Sequence, residues 1–464
     1  MKTLGLLPLG RPTFDVPYAD QQLAGMLSQL ESTGLELTGS RKLLFDSEST
    51  IEAMDQLQKE GPDIVLVLQV TFTDAAMVIE AANRFKTPLV IWAVPEPRLG
   101  GRLRLNAFCG LNLASHALGL ADRDFGYLYA SPDDEACNEQ LVQLLGEKIT
   151  HGSPLTGELL KSSASDTGRH ITARLNGKKI ARIGEHPEGF ATCAYDADQA
   201  HALTGITIEA LDLEHLFNAA NRADEEATAK VFHQVASDLQ GLDEVDQQQL
   251  DKSLKLKVAL DDLRQAGHYD AFAIRCWPET FTEYGGAVCG PVSLLGEARV
   301  PCACEADVYG AMTQLLLQEA ADAPVFLVDL VDIDVKDNSA VVWHCGQAPV
   351  SMADSQPKPT ATVHTNRVMP LLYEFTLKPG RVTFARLSQA RSKVQLIISG
   401  GEMLQRDMAF TGTSGVVKFD CGAAQLLPKI IRSGLEHHMG LVYGDLREEL
   451  RASAAALDIP VLEI

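Results

Sequence analysis

The sequence predicts an α/β protein, with two doubly wound α/β units followed by a β-rich C-terminal unit that is antiparallel and barrel-like. Three observations carry this. The runs DIVLVLQVTF, PLVIWAVPE and FGYLYAS are continuously apolar and of strand length, which suits strands buried on both faces of a parallel sheet. Strand and helix signals alternate through the first two thirds of the chain. After about residue 335 the texture changes to short strand-like runs parted by PG, GG and SG turns.

The elements follow in order. LGLLPLG opens as a buried strand, and ADQQLAGMLSQLESTG sets Leu23, Met26, Leu27 and Leu30 at helical spacing with Gly34 as its stop. This first unit is expected over 1–165 and closes on the linker SSASDTG (162–168). A second unit, 166–335, begins with the strand in KKIARIGEHPEGF. Two long polar helical stretches at about 206–240 and 246–266 precede the buried strand DAFAIRCW (270–277). The helix EADVYGAMTQLLLQEA and the strand APVFLVDLVDID complete it. The third unit, 336–464, comprises TATVHTN, LLYEFTLKPGRVTFARLS, KVQLIISGGEM and GTSGVVKFD, closed by the helices AAQLLPKIIRSGLEHH and GDLREELRASAAALDI.

Composition narrows the function. The 464 residues are 46% apolar and 22% charged, the balance of a globular protein. Acidic side chains outnumber basic ones 62 to 40, a net charge of −22, which argues against nucleic acid or an anionic membrane as partner. No run approaches twenty apolar residues and the N-terminus lacks a signal-peptide pattern, so a cytoplasmic protein is expected. Nine scattered cysteines without a CxxC pair point to reduced thiols rather than a disulfide framework or zinc ribbon.

The candidate chemistry sits at the ends of buried elements in the second half. Glu305 in PCACEADVYGA starts a helix, Asp329 interrupts the apolar run VFLVDLVDID, His344 ends AVVWH, and His437 and His438 form a doublet in GLEHHMG. Two carboxylates with imidazole make a mixed oxygen and nitrogen set for a fairly hard divalent ion, Mn²⁺ first and Mg²⁺ or Co²⁺ as alternatives. The plainer readings are a dipole-favoured acid at a helix start, a paired strand-end aspartate, a core histidine and cationic residues at a helix end. One further feature stands out in so acidic a chain. PEPRLGGRLRLNAFCG gathers Arg98, Arg102 and Arg104 around a Gly-Gly pair, suited either to acidic partners at an interface or to an anionic end of a substrate.

In order and separation, the segments around Glu305, Asp329, HCGQAP with His344, and GLEHH resemble the L-fucose isomerase and L-arabinose isomerase superfamily. LNLASHALGLADRDFG, with His116, Arg123, Phe125 and Gly126, is similar to a further segment of that family. The resemblance covers nearly the whole chain and implies an aldose–ketose isomerase working through a cis-enediol(ate). It implies that Glu305 and Asp329 are both metal ligands and the acid/base pair, and that His438 is the third ligand with His437 as competitor. His344 is a ligand in arabinose-type members and not in fucose-type ones. The resemblance also implies a homo-oligomer, trimer or hexamer, in which a neighbour's N-terminal unit covers the site and His116 reaches across to the substrate. Trp277, His437 and the three arginines join His116 as substrate-binding candidates, with an anionic sugar such as sulfoquinovose one substrate and a neutral sugar the other. A non-catalytic sugar-binding or regulatory protein is the competing class.

Overall fold

The computed structural model describes residues 2–146, 148–160 and 165–464. The N-terminal part alternates β1 (Thr3–Leu9), α1 (Val16–Ser32), β2 (Glu36–Gly39), α2 (Ser47–Glu60), β3 (Ile64–Gln69), α3 (Ala76–Arg84), β4 (Leu89–Ala93), α4 (Ala107–Leu120), β5 (Gly126–Tyr129) and α5 (Cys137–Gly146). Its strands are parallel in the order β2-β1-β3-β4-β5. β3 and β4 are buried at every residue, which explains their lack of polar alternation. Asp15 and Asp46 cap α1 and α2 by accepting from the Tyr18 and Ser49 backbone N–H groups. The strand order reverses between β1 and β3, so the loops after these two strands open a crevice of the kind that holds ligands in such sheets.

The middle part runs through α6 (Asp166–Ala173), β6 (Lys179–Ile183), α7 (Ala197–Thr204), β7 (Thr207–Leu211), α8 (Leu213–Asn221) and α9 (Glu225–Asp238). It continues with α10 (Gln247–Gly267), β8 (Ala271–Ile274), α11 (Cys289–Glu297), β9 (Cys302–Ala303) and α12 (Val308–Ala321). Its parallel sheet has the order β7-β6-β8-β9. The stretch 206–240 is not one helix: β7 forms the sheet's edge before α8 and α9, and an exposed edge strand carries polar residues that resemble a solvated helix. Of the expected linker, residues 162–164 lie outside the described residues, while Ser165 already caps α6.

The last part holds β10 (Phe326–Asp334), β11 (Ser339–His344), β12 (Thr360–Thr362), β13 (Leu372–Thr376), β14 (Gly380–Ser388) and β15 (Gln395–Met403). β16 (Thr413–Phe419), α13 (Ala423–Ser433), β17 (His438–Tyr443), α14 (Arg447–Ala456) and β18 (Val461–Glu463) follow. They form one large mixed sheet, β12-β13-β16-β11-β10-β17-β14-β15-β18, in which β15 also pairs with β16 so that six strands pair in a cycle. β10, grouped with the central unit by the sequence pattern, is bonded between β11 and β17, so this sheet carries Asp329. The closing helix expected through the histidine doublet stops at Ser433, because Gly434 turns left-handed (φ 64°) and His438 opens a strand. Between β10 and β11, Leu330 faces Val342 and Asp332 faces Val341, leaving Val331 as an extra residue. That bulge returns Asp332 to the sheet face that carries Asp329, although three residues ordinarily separate opposite faces.

Cys276 and Cys304 are joined as a disulfide, Cα atoms 5.8 Å apart, against the expectation of reduced thiols throughout. They follow the adjacent strands β8 and β9, a juxtaposition that a 28-residue separation does not announce. Among the described residues no helix is long and apolar enough to cross a membrane.

Candidate active site

An open cleft is lined by residues from loops and strand ends of all three sheets. Glu305 lies between β9 and α12. It and Ala306 both take left-handed backbone, φ 58° and 55°, a cost of about 1–3 kcal/mol each for non-glycine residues. Asp307 fixes the next step by capping α12 at the Gly310 N–H, 2.8 Å away. The Trp277 indole N–H donates to Glu305 Oε1 at 2.9 Å, and His437 Nε2 lies 2.9 Å from Oε2. Asp329 on β10 stands in register with His438 on β17 and Trp343 on β11. Cross-strand partners share a face, and His438 Nε2 accordingly lies 3.5 Å from Asp329 Oδ1 and 3.9 Å from Glu305 Oε2.

The other ring nitrogen of His438 explains that orientation. Nδ1 is 3.0 Å from Asp307 Oδ2, and the Arg386 guanidinium grips both oxygens of Asp307 at 2.5 and 3.0 Å. All three side chains are buried. A carboxylate on one imidazole nitrogen assigns the proton there and aims the lone pair of the other at the cluster.

Burial pushes Glu305 up, but the hydrogen bond and charge of His437, with those of His438 and Trp277, outweigh it and hold the carboxyl at about 2. Burial lifts Asp329 above the usual carboxylate range despite both histidines. His437 is raised because Glu305 overcomes burial, whereas burial and the neighbouring His437 charge lower His438.

Two buried groups thus meet at His438, one with Cys193, Glu305 and His437 and the other with Asp329 and His344. Asp329 Oδ1 is buried without a hydrogen-bond partner among the described residues, a costly state for a carboxylate oxygen unless a cation or substrate meets it. This donor set fits a divalent ion. His344 shares a group with Asp329 and His438, and its Nε2 also lacks a hydrogen-bond partner among the described residues. However, its Nδ1 accepts the Cys345 backbone N–H at 2.9 Å, which leaves the proton of a neutral ring on Nε2. In this ring orientation His344 offers a donor, not a lone pair.

Arg11, Phe14, Phe72 and Leu103 of the N-terminal part line the cleft. His116 does not: it is buried in α4, and its Nδ1 lies 2.8 Å from the Gly434 carbonyl oxygen of the same chain. Nor do the three arginines of the glycine loop line the cleft. Arg98 pairs with buried Asp332 at 2.6 Å and bonds Ser339, and Arg104 pairs with Asp15 at 2.8 Å above the Tyr18 ring. Arg102 bonds the Thr13 carbonyl and Asn366 at the rim. Each guanidinium is occupied by its own chain, and the loop is folded around Glu96, which accepts from the Arg104, Leu105 and Asn106 N–H groups.

The cleft has cationic residues that sequence reasoning passed over: Arg11 and Arg367. Asp307 and Arg386 were also missed. Asp307 stood in view two residues after Glu305. A lone arginine within the apolar strand signal of VTFARLS was the one local hint for Arg386.

Comparison with known proteins accords with this geometry. Residues 5–146 match the fucose/sulfoquinovose isomerase N-terminal domain, and residues 342–464 match the L-fucose isomerase C-terminal domain. A sulfoquinovose isomerase of Priestia aryabhattai is 30% identical over 450 residues, covering 97% of this chain and 96% of that protein. One of Alkalicoccus urumqiensis is 30% identical over 469 residues and 100% of both chains. Solved structures overlay only loosely: a periplasmic solute-binding protein of Actinobacillus succinogenes 130z covers 69% of this chain and 92% of its own, at TM-score 0.21 and 13% identity, which carries no weight. By its full-length relatives the chain belongs to the fucose/sulfoquinovose isomerase family, whose members are aldose–ketose isomerases.

Proposed function

We propose that this chain is a divalent-metal-dependent isomerase that converts sulfoquinovose, 6-deoxy-6-sulfoglucose, to its ketose. The observation that supports it best is the approach of Glu305 Oε2 and Asp329 Oδ1 to His438 Nε2, with Asp329 Oδ1 lacking a hydrogen-bond partner among the described residues. These three residues would hold the ion, and oxygen-rich ligation with one imidazole suits Mn²⁺. When bound, the ion polarises the sugar's carbonyl and adjacent hydroxyl oxygens.

The chain's own groups move the protons. Isomerisation takes a proton from C2 to C1 and another from the C2 hydroxyl to the carbonyl oxygen, through a cis-enediol. Glu305, fixed on both oxygens by Trp277 and His437, takes the C2 proton and returns it to C1. Asp329 relays the hydroxyl proton between the two oxygens, and His344 steadies a sugar oxygen from its Nε2–H. The ring of Trp277 packs edge-on against Phe190, with centroids 5.5 Å apart, which steadies the indole that holds the carboxylate.

Turnover of sulfoquinovose in D₂O tests the reading. Solvent deuterium at C1 of the ketose, loss of turnover with chelator, recovery with Mn²⁺ and loss in Glu305→Gln are the expected results. Turnover that survives thorough chelation excludes it.

A further inference from the structure

The end of the cleft away from the carboxylates carries a charge arrangement that the isomerisation does not use. Arg11 leaves β1 and residues 71–74 leave β3, so both lie at the crevice where the first sheet reverses its strand order. The Arg11 backbone N–H donates to Thr71 Oγ1 at 2.8 Å, its guanidinium pairs with Asp74, and it lies 5.3 Å from the Phe72 ring and 5.4 Å from the Trp277 ring. Arg367 comes from the third part of the chain and lies 6.0 Å from the same indole. Among the described residues its guanidinium has no hydrogen bond and no carboxylate partner. Burial, and then the Arg11 charge, push its pKa down.

Two guanidiniums therefore share one wall, and a single carboxylate, Asp74, pairs with one of them, Arg11. One positive charge is left over, facing a cleft in a chain with 62 acidic residues from which to draw a partner. A half-buried, unpaired guanidinium is unfavourable unless an anion meets it, and its planar fork matches an oxyanion through two parallel hydrogen bonds. Trp277 relates this wall to the chemistry, since its ring faces the arginines while its N–H holds Glu305. Glu305, Trp277, Arg11 and Arg367 line one cleft, so a sugar held at Glu305 shares it with both guanidiniums. Arg102 ties the two arginine-bearing segments together by bonding both Thr13 and Asn366.

We propose that Arg11 and Arg367 form a subsite for a singly charged oxyanion, a sulfonate, on the sugar carbon farthest from the reacting carbonyl, and that Arg367 selects for it. The net charge of the wall after Asp74 is +1, which matches a sulfonate and leaves a dianionic phosphate half compensated. This assignment rests on the reading of the cleft as a sugar site.

Kinetics on sulfoquinovose, D-glucose and D-glucose 6-phosphate, joined to calorimetric titration of metal-free protein with methanesulfonate, test it. Arg367→Met is expected to lower kcat/KM on sulfoquinovose about 100-fold, chiefly through KM, and to leave kcat/KM on D-glucose within about 2-fold. Arg367→Lys restores part of the loss, and methanesulfonate affinity falls at least about 10-fold in Arg367→Met. Equal losses on charged and neutral sugars, or no loss on either, overturn the subsite, and a preference for the 6-phosphate over the sulfonate overturns its charge match. If the wild type turns over none of these sugars with any divalent ion while methanesulfonate binding still depends on Arg367, the isomerase reading fails and the subsite stands.

Discussion

Asp307 Oδ2 and His438 Nδ1 lie 3.0 Å apart, although 131 residues separate them in the chain. Arg386 holds the same carboxylate from the other side, so the imidazole is oriented by a buried ion pair. Replacing Asp307 with Asn keeps an oxygen for the α12 cap and removes the charge. Affinity for Mn²⁺ is expected to fall about 10–100-fold while the three proposed ligands remain. Titration followed by electron paramagnetic resonance measures it, and unchanged affinity excludes the orienting role.

His344 and His438 are expected to part company when each is changed. His438→Ala removes the stoichiometric ion. His344→Gln keeps one Mn²⁺ per chain, because its Nδ1 already accepts from Cys345, and turnover falls about 10–100-fold through the lost donor. Metal analysis beside steady-state rates separates the two, and loss of the ion from His344→Gln would place His344 among the ligands.

The arginine loop makes a stability prediction. Arg98→Ala leaves Asp332 buried and without its cation, at a cost of about 3–5 kcal/mol. Arg102 is exposed, so Arg102→Ala costs less than about 1 kcal/mol. Urea unfolding of the two variants should show that order, and similar midpoints would contradict it.

Glu96 gives the fold a pH dependence. It is 4% exposed, and burial pushes its carboxyl from 4.5 up to about 7 against the pull of three backbone N–H groups, with Asp332 adding to the rise. Between those values the native state holds a proton that the unfolded state has released. The stabilisation is therefore complete below about 4.5 and is lost as pH rises through about 7, a change of about 3 kcal/mol. Unfolding midpoints of the wild type should fall more steeply from pH 5 to pH 8 than those of Glu96→Gln, and parallel slopes would discard the assignment.

The α/β alternation was legible because strands covered on both faces must be apolar throughout, as β3 and β4 are. Glu305, Asp329 and the histidine doublet were legible because a charged or titratable group at the end of an apolar run needs a reason. What escaped was set by distant pairing. Nothing within β10 tells that its neighbours are β11 and β17 rather than the strands before it. Arg386 and Asp307 meet across 79 residues, and Arg11 and Arg367 share an indole from the first and third parts of the chain. The Gly-Gly arginines drew notice by their density, yet density marked three guanidiniums already satisfied, while Arg367, without a hydrogen bond or carboxylate partner among the described residues, stood alone in TNRVMP.

The extra residue in β10 has a further consequence, for which changes of length this chain can survive. With Val331 present, Asp329 meets His438 and Asp332 meets Arg98 and Tyr129 from a single strand face. Deleting Val331 would remove the bulge and leave Asp332 opposite Val341, two positions from Asp329 and on the same face. One residue added between them, beyond what the bulge takes up, would instead turn Asp332 toward the opposite interior, among Leu330, Ile333 and Val342. Homologues can therefore lose a residue here and keep both carboxylates on one side of the sheet, whereas a one-residue insertion between Asp329 and Asp332 should be selected against more strongly than most substitutions there.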